Sequence, residues 1–144
     1  MTGVQIRYNF MAECIFCKIV AGEIPAAKIY ETNSVLVFLD IHPVSKGHAL
    51  VVPKEHFDDM ISATDEIVKD VFTTGKKVML AMKEALDADY VAVSVVGIDV
   101  SHFHIHLIPR YYEDNLENFW PQGKYEEWEI EKYADKIKDL LKQI

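Results

Sequence analysis

Three histidines stand at alternate positions in His102-Phe103-His104-Ile105-His106, and the whole chain of 144 residues holds only six. An imidazole titrates near neutrality, donates, accepts, attacks and binds metal. Spacing by two is the period of a β-strand, and helical spacing would scatter the same rings around a cylinder. On a strand over 102–110, His102, His104 and His106 share one face, while Phe103, Ile105 and Leu107 share the other. Such a row has three chemical uses. It can form a three-histidine hydrolytic metal centre with an open position for water. It can supply a nucleophilic imidazole flanked by rings that fix its tautomer and bind an anion. Or it can be a pH-sensing surface. Same-face side chains on a strand stand about 7 Å apart and converge poorly on one ion. That geometry favours divided roles.

The two cysteines form a second candidate pair, Cys14-Ile15-Phe16-Cys17. Their spacing suits a redox pair or half of a zinc site. The redox reading expects a βαβ context, which the sequence around residue 14 lacks. A zinc site needs two nitrogen ligands from elsewhere, and spare histidines exist. Both readings stand open on spacing alone.

These groups need elements to position them. A short helical turn over Cys14–Ala21 ends at Gly22, and Ile24-Pro25 starts an extended segment. Strands are expected over Lys28–Glu31, Val35–Leu39 and His48–Pro53, with turn chemistry at Thr32-Asn33-Ser34 and Ser45-Lys46-Gly47. Thr64 to Leu86 reads as one long helix, with Thr64 as N-cap and acidic Asp65 and Glu66 in its first turn. Tyr90–Val96 is rich in valine and is expected to be a central strand. Gly97 to Ser101 is a loop into the histidine strand, Tyr111–Lys124 a loop, and Glu126–Leu141 a terminal helix. The sum is an α+β fold: five short, mainly antiparallel strands with one long crossing helix.

Composition narrows the function. The length fits one domain with one core. A net charge of −8 without a basic stripe disfavours a nucleic-acid groove. A small phosphorylated ligand stays compatible, because backbone N–H groups and imidazoles can hold phosphate. No apolar run approaches the roughly 20 residues of a membrane helix, and residues 1–12 lack the apolar core of a signal peptide. The expected compartment is the cytoplasm. Residues 1–12 read as a leader, 13–112 as the domain, and 113–144 as a flanking loop and helix.

His-Phe-His-Ile-His-Leu-Ile resembles the signature of the histidine triad (HIT) family. The segment from Cys14 to Ala26, Val-Phe-Leu-Asp-Ile-His-Pro at 37–43, and Lys-Gly-His-Ala-Leu-Val-Val-Pro-Lys-Glu-His at 46–56 resemble the family too, in collinear order. The resemblance implies the HIT-like fold and nucleotidyl transfer at the α-phosphate of a purine nucleotide. It makes His104 the nucleophile, through a nucleotidyl-imidazole intermediate, with His106 and His48 at the phosphate. It places Phe16, Ile19, Phe38, Leu39, Asp40 and Ile41 around the nucleoside, and Asp40 at the ribose hydroxyls. Ser94, Val100 and Ser101 fall near the phosphate. Some bacterial members pair Cys14, Cys17, His56 and His102 in this numbering around a structural zinc. The family is typically a homodimer.

Departures limit the likeness. Many members carry a Gln in the loop before the triad, whereas this chain reads Gly97-Ile98-Asp99-Val100-Ser101. The leaving-group donor is therefore unassigned. The leading expectation is nucleoside phosphoramidate hydrolysis. The alternatives are dinucleoside polyphosphate hydrolysis, a non-catalytic purine-nucleotide-binding module and a three-histidine metallohydrolase.

Overall fold

A computed structural model describes residues 13–114 and 120–144. The expected leader, residues 1–12, and residues 115–119 of the expected loop lie outside the described residues. Five strands, β1 (Lys28–Glu31), β2 (Val35–Leu39), β3 (Ala49–Pro53), β4 (Tyr90–Ser94) and β5 (Ile105–Arg110), form one antiparallel sheet in the order β1-β2-β3-β5-β4. Among the described residues three helices join it: α1 (Ile15–Val20), α2 (Asp65–Ala85) and α3 (Glu129–Leu141).

Local chemistry sets the boundaries. Thr32 Oγ1 accepts from the backbone N–H groups of Ser34 and Val35, closing the β1–β2 turn. Asp40 Oδ1 accepts from the His42 N–H at 2.9 Å, which turns the chain out of β2. Thr64 caps α2 by accepting from the Ile67 N–H. That helix buries Val71, Gly75, Val78 and Met82, a 4-3-4 spacing that lays one stripe on the sheet. A Cβ on Gly75 would stand 3.0 Å from Ile105 Cδ1, so glycine lets the helix approach β5 closely.

The sheet is covered on both faces. Val35, Val37, Leu39, Val51, Ile105 and Leu107 pack under α2 and α3. Leu36, Phe38, Leu50 and Val52 pack on the other face with Cys14, Phe16 and Ile19 of the α1 region. The alternation in the histidine segment survives: Phe103, Ile105 and Leu107 face the helices, and the imidazoles the opposite side. None of the helices among the described residues is long and apolar enough to cross a membrane.

Several boundaries differ from expectation. The sheet ladder of β5 begins at Ile105, because the Phe103 N–H donates instead to the Phe57 carbonyl at 2.7 Å. His102 and His104 therefore lie in the lead-in, not in the strand. Strand β4 stops at Ser94 and is an edge strand, not a central one. Helix α3 starts at Glu129, and Trp128 just ahead of it is 64% exposed.

Candidate functional site

The histidine side of the sheet carries an open cavity of about 200 Å³. Its floor includes Phe16, Leu50, His104 and His106, its rim Asp40 and the loop 96–100. All of His48, His102, His104 and His106 are buried, and every fully buried side-chain nitrogen or oxygen among the described residues has a partner. Those partners fix which nitrogen of each ring carries the proton.

His104 Nδ1 lies 2.6 Å from the His102 backbone oxygen. A carbonyl only accepts, so Nδ1 bears the hydrogen and the Nε2 lone pair is free. Phe16 meets this ring edge-on at 5.0 Å and His106 at 4.8 Å, which hold its plane. Burial pushes its pKa below the ordinary value, against the opposing effects of the His102 carbonyl and the Asp99 charge. At neutral pH the ring is thus an uncharged base.

A second chain of bonds orients His106. The Val44 N–H donates to His48 Nδ1 at 3.0 Å, so His48 carries its proton on Nε2. That nitrogen is 2.9 Å from His106 Nδ1 and donates to it. His106 is left with its proton on Nε2. Burial, with the neighbouring imidazoles adding, pushes His48 down to about 3 and His106 to about 4. Asp40, His48 and His106 are close enough to hold a metal ion. Both His48 nitrogens are committed to hydrogen bonds, however, which leaves His48 no free ligand atom.

His102 belongs to a different cluster. Its Nε2 donates to the Pro53 carbonyl at 2.8 Å, and its Nδ1 lies 3.4 Å from Cys14 Sγ and 3.5 Å from Cys17 Sγ. His56 repeats the arrangement: Nε2 donates to Asp58 Oδ1 at 2.9 Å, and Nδ1 is 3.3 Å from Cys17 Sγ. The four ligand atoms lie within 4.8 Å of one another. Two sulfurs and two imidazole nitrogens with ring N–H groups tied to outer acceptors fit a closed tetrahedral zinc site. Burial and the bond with Cys14 push the Cys17 thiol up to about 12. Two adjacent thiolates thus need a cation to exist there. The division also removes His102 from any three-histidine centre.

Other expected positions separate. Phe16, Asp40 and Val100 line the cavity. Phe38 packs behind Phe16 with rings 5.5 Å apart, and Ile19 shares that cluster. Leu39 points to the opposite face of the sheet, into the core under the helices, because neighbouring strand residues alternate. Ile41 is 66% exposed beyond the end of β2. Ser101 is exposed, and Ser94 pairs with His106 across β4 and β5; neither lines the cavity. Burial raises the Asp40 pKa, opposed by the His42 N–H.

Two lining residues, Trp120 and Gln122, come from the stretch expected to be only a loop. The Trp120 ring stands edge-on to His106 at 4.8 Å and to His48 at 5.8 Å. Its segment is fastened to the 42–47 loop: the Gly123 N–H donates to the Pro43 carbonyl, and the Gly47 N–H to the Tyr125 hydroxyl. Lys46 pairs with Glu129 at 2.7 Å. Gly123 was the available signal, since a Cβ there would sit 2.8 Å from the Pro43 oxygen.

A HIT domain model matches residues 21–113. The adenosine 5'-monophosphoramidase of Schizosaccharomyces pombe is 40% identical over 131 residues, 90% of this chain and 98% of that protein. The protein hit of Bacillus subtilis is 43% identical over 105 residues, 68% of this chain and 71% of that protein. A Zn-bound histidine triad family protein from Mycobacterium smegmatis superposes with a TM-score of 0.83 at 32% identity, covering 92% of this chain and 96% of that one.

Proposed function

The chain belongs to the HIT domain family, and from that premise we propose that it hydrolyses purine nucleoside phosphoramidates to the nucleoside monophosphate. The observation that carries the reading is the 2.6 Å bond from His104 Nδ1 to the His102 carbonyl. It leaves a neutral, oriented Nε2 lone pair in the cavity. The similarity to the S. pombe monophosphoramidase supports the substrate class.

His104 Nε2 attacks the α-phosphorus while the phosphorus–nitrogen bond breaks on the far side. The amine leaves with its bonding pair and a proton drawn from water at the open mouth. The His102 carbonyl stabilises the charge on the nucleotidyl-imidazole through Nδ1–H, and water then cleaves that adduct. His106 Nε2–H, held by His48, donates to a non-bridging phosphate oxygen, with the backbone N–H groups of Val100 and Ser101 assisting. Asp40 accepts from the ribose hydroxyls. Phe16 meets the base, backed by Ile19 and Phe38. Neither Leu39 nor Ile41 carries a part of this scheme through its side chain, and Ser94 acts only by supporting His106 from the next strand.

Cys14, Cys17, His56 and His102 would hold zinc as a structural ion, tying α1 to the residues ahead of β5. The functional unit is a cytoplasmic homodimer, in which residues 13–112 form the domain and 113–144 flank it.

Incubation with an adenosine phosphoramidate should release AMP through an adduct on His104, visible by intact mass after an alkaline quench. His104→Ala should lower turnover by at least about a thousandfold. Nucleotide binding without turnover on any phosphoramidate or dinucleoside polyphosphate would leave a binding module instead.

A further inference from the structure

The substrate arrives with a negative charge at phosphorus, yet the described residues lining the cavity include no lysine or arginine. They do include two carboxylates, Asp40 and Asp99. The imidazoles of His48 and His106 at the phosphate end do not offset these charges, because burial holds both well below their ordinary range and so neutral. A second or third phosphate would therefore enter a field of its own sign.

The two carboxylates differ in their surroundings. Asp40 is half-buried at the end of β2, accepts from the His42 N–H and lies 3.8 Å from His48 Nε2. Asp99 stands exposed on the loop between β4 and β5, with no hydrogen bond or ion pair among the described residues. It lines the same cavity as Asp40, His104 and His106, so it shares the space in which the substrate's phosphate and leaving group lie. Once the nucleoside is held against Phe16 and Asp40, the leaving group is the part of the substrate left towards the open rim that this loop forms.

We infer that Asp99 is a specificity-determining residue which selects leaving groups by charge, favouring amines that bear a second ammonium and disfavouring polyphosphate. This rests on the phosphoramidase reading and adds to it the class of amine. A carboxylate and an ammonium a few ångströms apart in a partly solvated site attract enough to change rates about five- to tenfold. Asp99 touches no reacting atom in this account, and its effect is electrostatic.

The test compares two adenosine phosphoramidates, one made from ethylamine and one from ethylenediamine, in the full-length protein and in Asp99→Asn. The readout is the ratio of kcat/KM values, diamine over monoamine, in the wild type divided by that ratio in the variant. This quotient cancels the intrinsic reactivity of the two amines. It should be about five to ten near 0.01 M salt, and approach one near 1 M, where screening shortens the Debye length from about 30 Å to about 3 Å. Asp99→Lys should raise turnover of diadenosine tetraphosphate. A quotient within about twofold of one at low salt, or one insensitive to salt, overturns the assignment while leaving the phosphoramidase reading intact. No turnover of either amide overturns both.

Discussion

What an imidazole can do in this site is set by whatever its other nitrogen touches. His104 and His106 are chemically identical side chains two residues apart, yet one presents a lone pair and the other a proton. The difference comes from a backbone carbonyl behind His104 and from the Val44 N–H acting through His48 behind His106. His48 is thus a positioning residue. His48→Gln keeps a donor towards His106 and should retain most activity, whereas His48→Ala should lose one to two orders of magnitude in kcat. The same burial has a pH consequence. His48 and His106 are neutral in the fold, with pKa values of about 3 and about 4, but protonate near pH 6.5 once unfolded. Below about pH 6.5 the unfolded chain binds more protons than the fold. Stability is therefore full above that pH and falls as pH drops towards the folded values. Urea denaturation between pH 6 and 5 should show His48→Gln losing roughly 1 kcal/mol per pH unit less than the wild type. Equal slopes would remove His48 from the acid response. Such tautomer logic is invisible in sequence, because the deciding partners are backbone atoms brought in by the fold.

At the scale of elements, α1 and the segment ahead of β5 are joined by the cysteine–histidine cluster as well as by the packing of Phe16 on His102 and His104. Helix α1 has only six residues, too short to be stable alone, and its N-cap acceptor is the Cys14 sulfur itself. Removing one ligand should therefore loosen the wall of the nucleoside pocket without touching His104. Cys17→Ser is expected to lose about one zinc per chain by metal analysis. It should lower the melting temperature by roughly 5–10 °C and weaken turnover, not abolish it. Activity lost on chelation and restored by other metals would instead make the ion catalytic. The sequence carried much of this architecture. Strands β1 and β2 fall within the expected bounds because turn residues flank them, and the long helix sits between Thr64 and Leu86 as its cap and stripe require. Strand β4 was misplaced for a physical reason. Period and composition report which faces are apolar, not whether a strand has one neighbour or two. Trp120 and Gln122 were missed because a loop's destination depends on tertiary ties such as Gly123 to Pro43.

The misplacement of β4 bears on the whole molecule, because the two edges of the sheet are unlike. Strand β1 carries Lys28 and Glu31 and has an irregular register between Lys28 and Tyr30, and α3 packs against it. Charge and bulges are the usual means by which an edge resists pairing. Strand β4 has neither: Tyr90 to Val96 contains no charged residue, and its register against β5 runs without a break. Tyr90, Val93, Val95 and Val96 are each more than 40% exposed. Apolar side chains on an unprotected edge favour pairing with a like edge, and a second copy related by a two-fold axis supplies one. The chain should therefore sediment at micromolar concentration as twice its 16.5 kDa mass. Val93→Lys sets like charges near one another across a two-fold interface and should shift the protein towards monomer, with the shift relieved by high salt. Sedimentation of the wild type as a monomer at the highest soluble concentration would rule out the homodimer. A Val93→Lys variant that stays dimeric would move the contact off β4, to a surface such as the exposed Phe72 and Leu80 of α2.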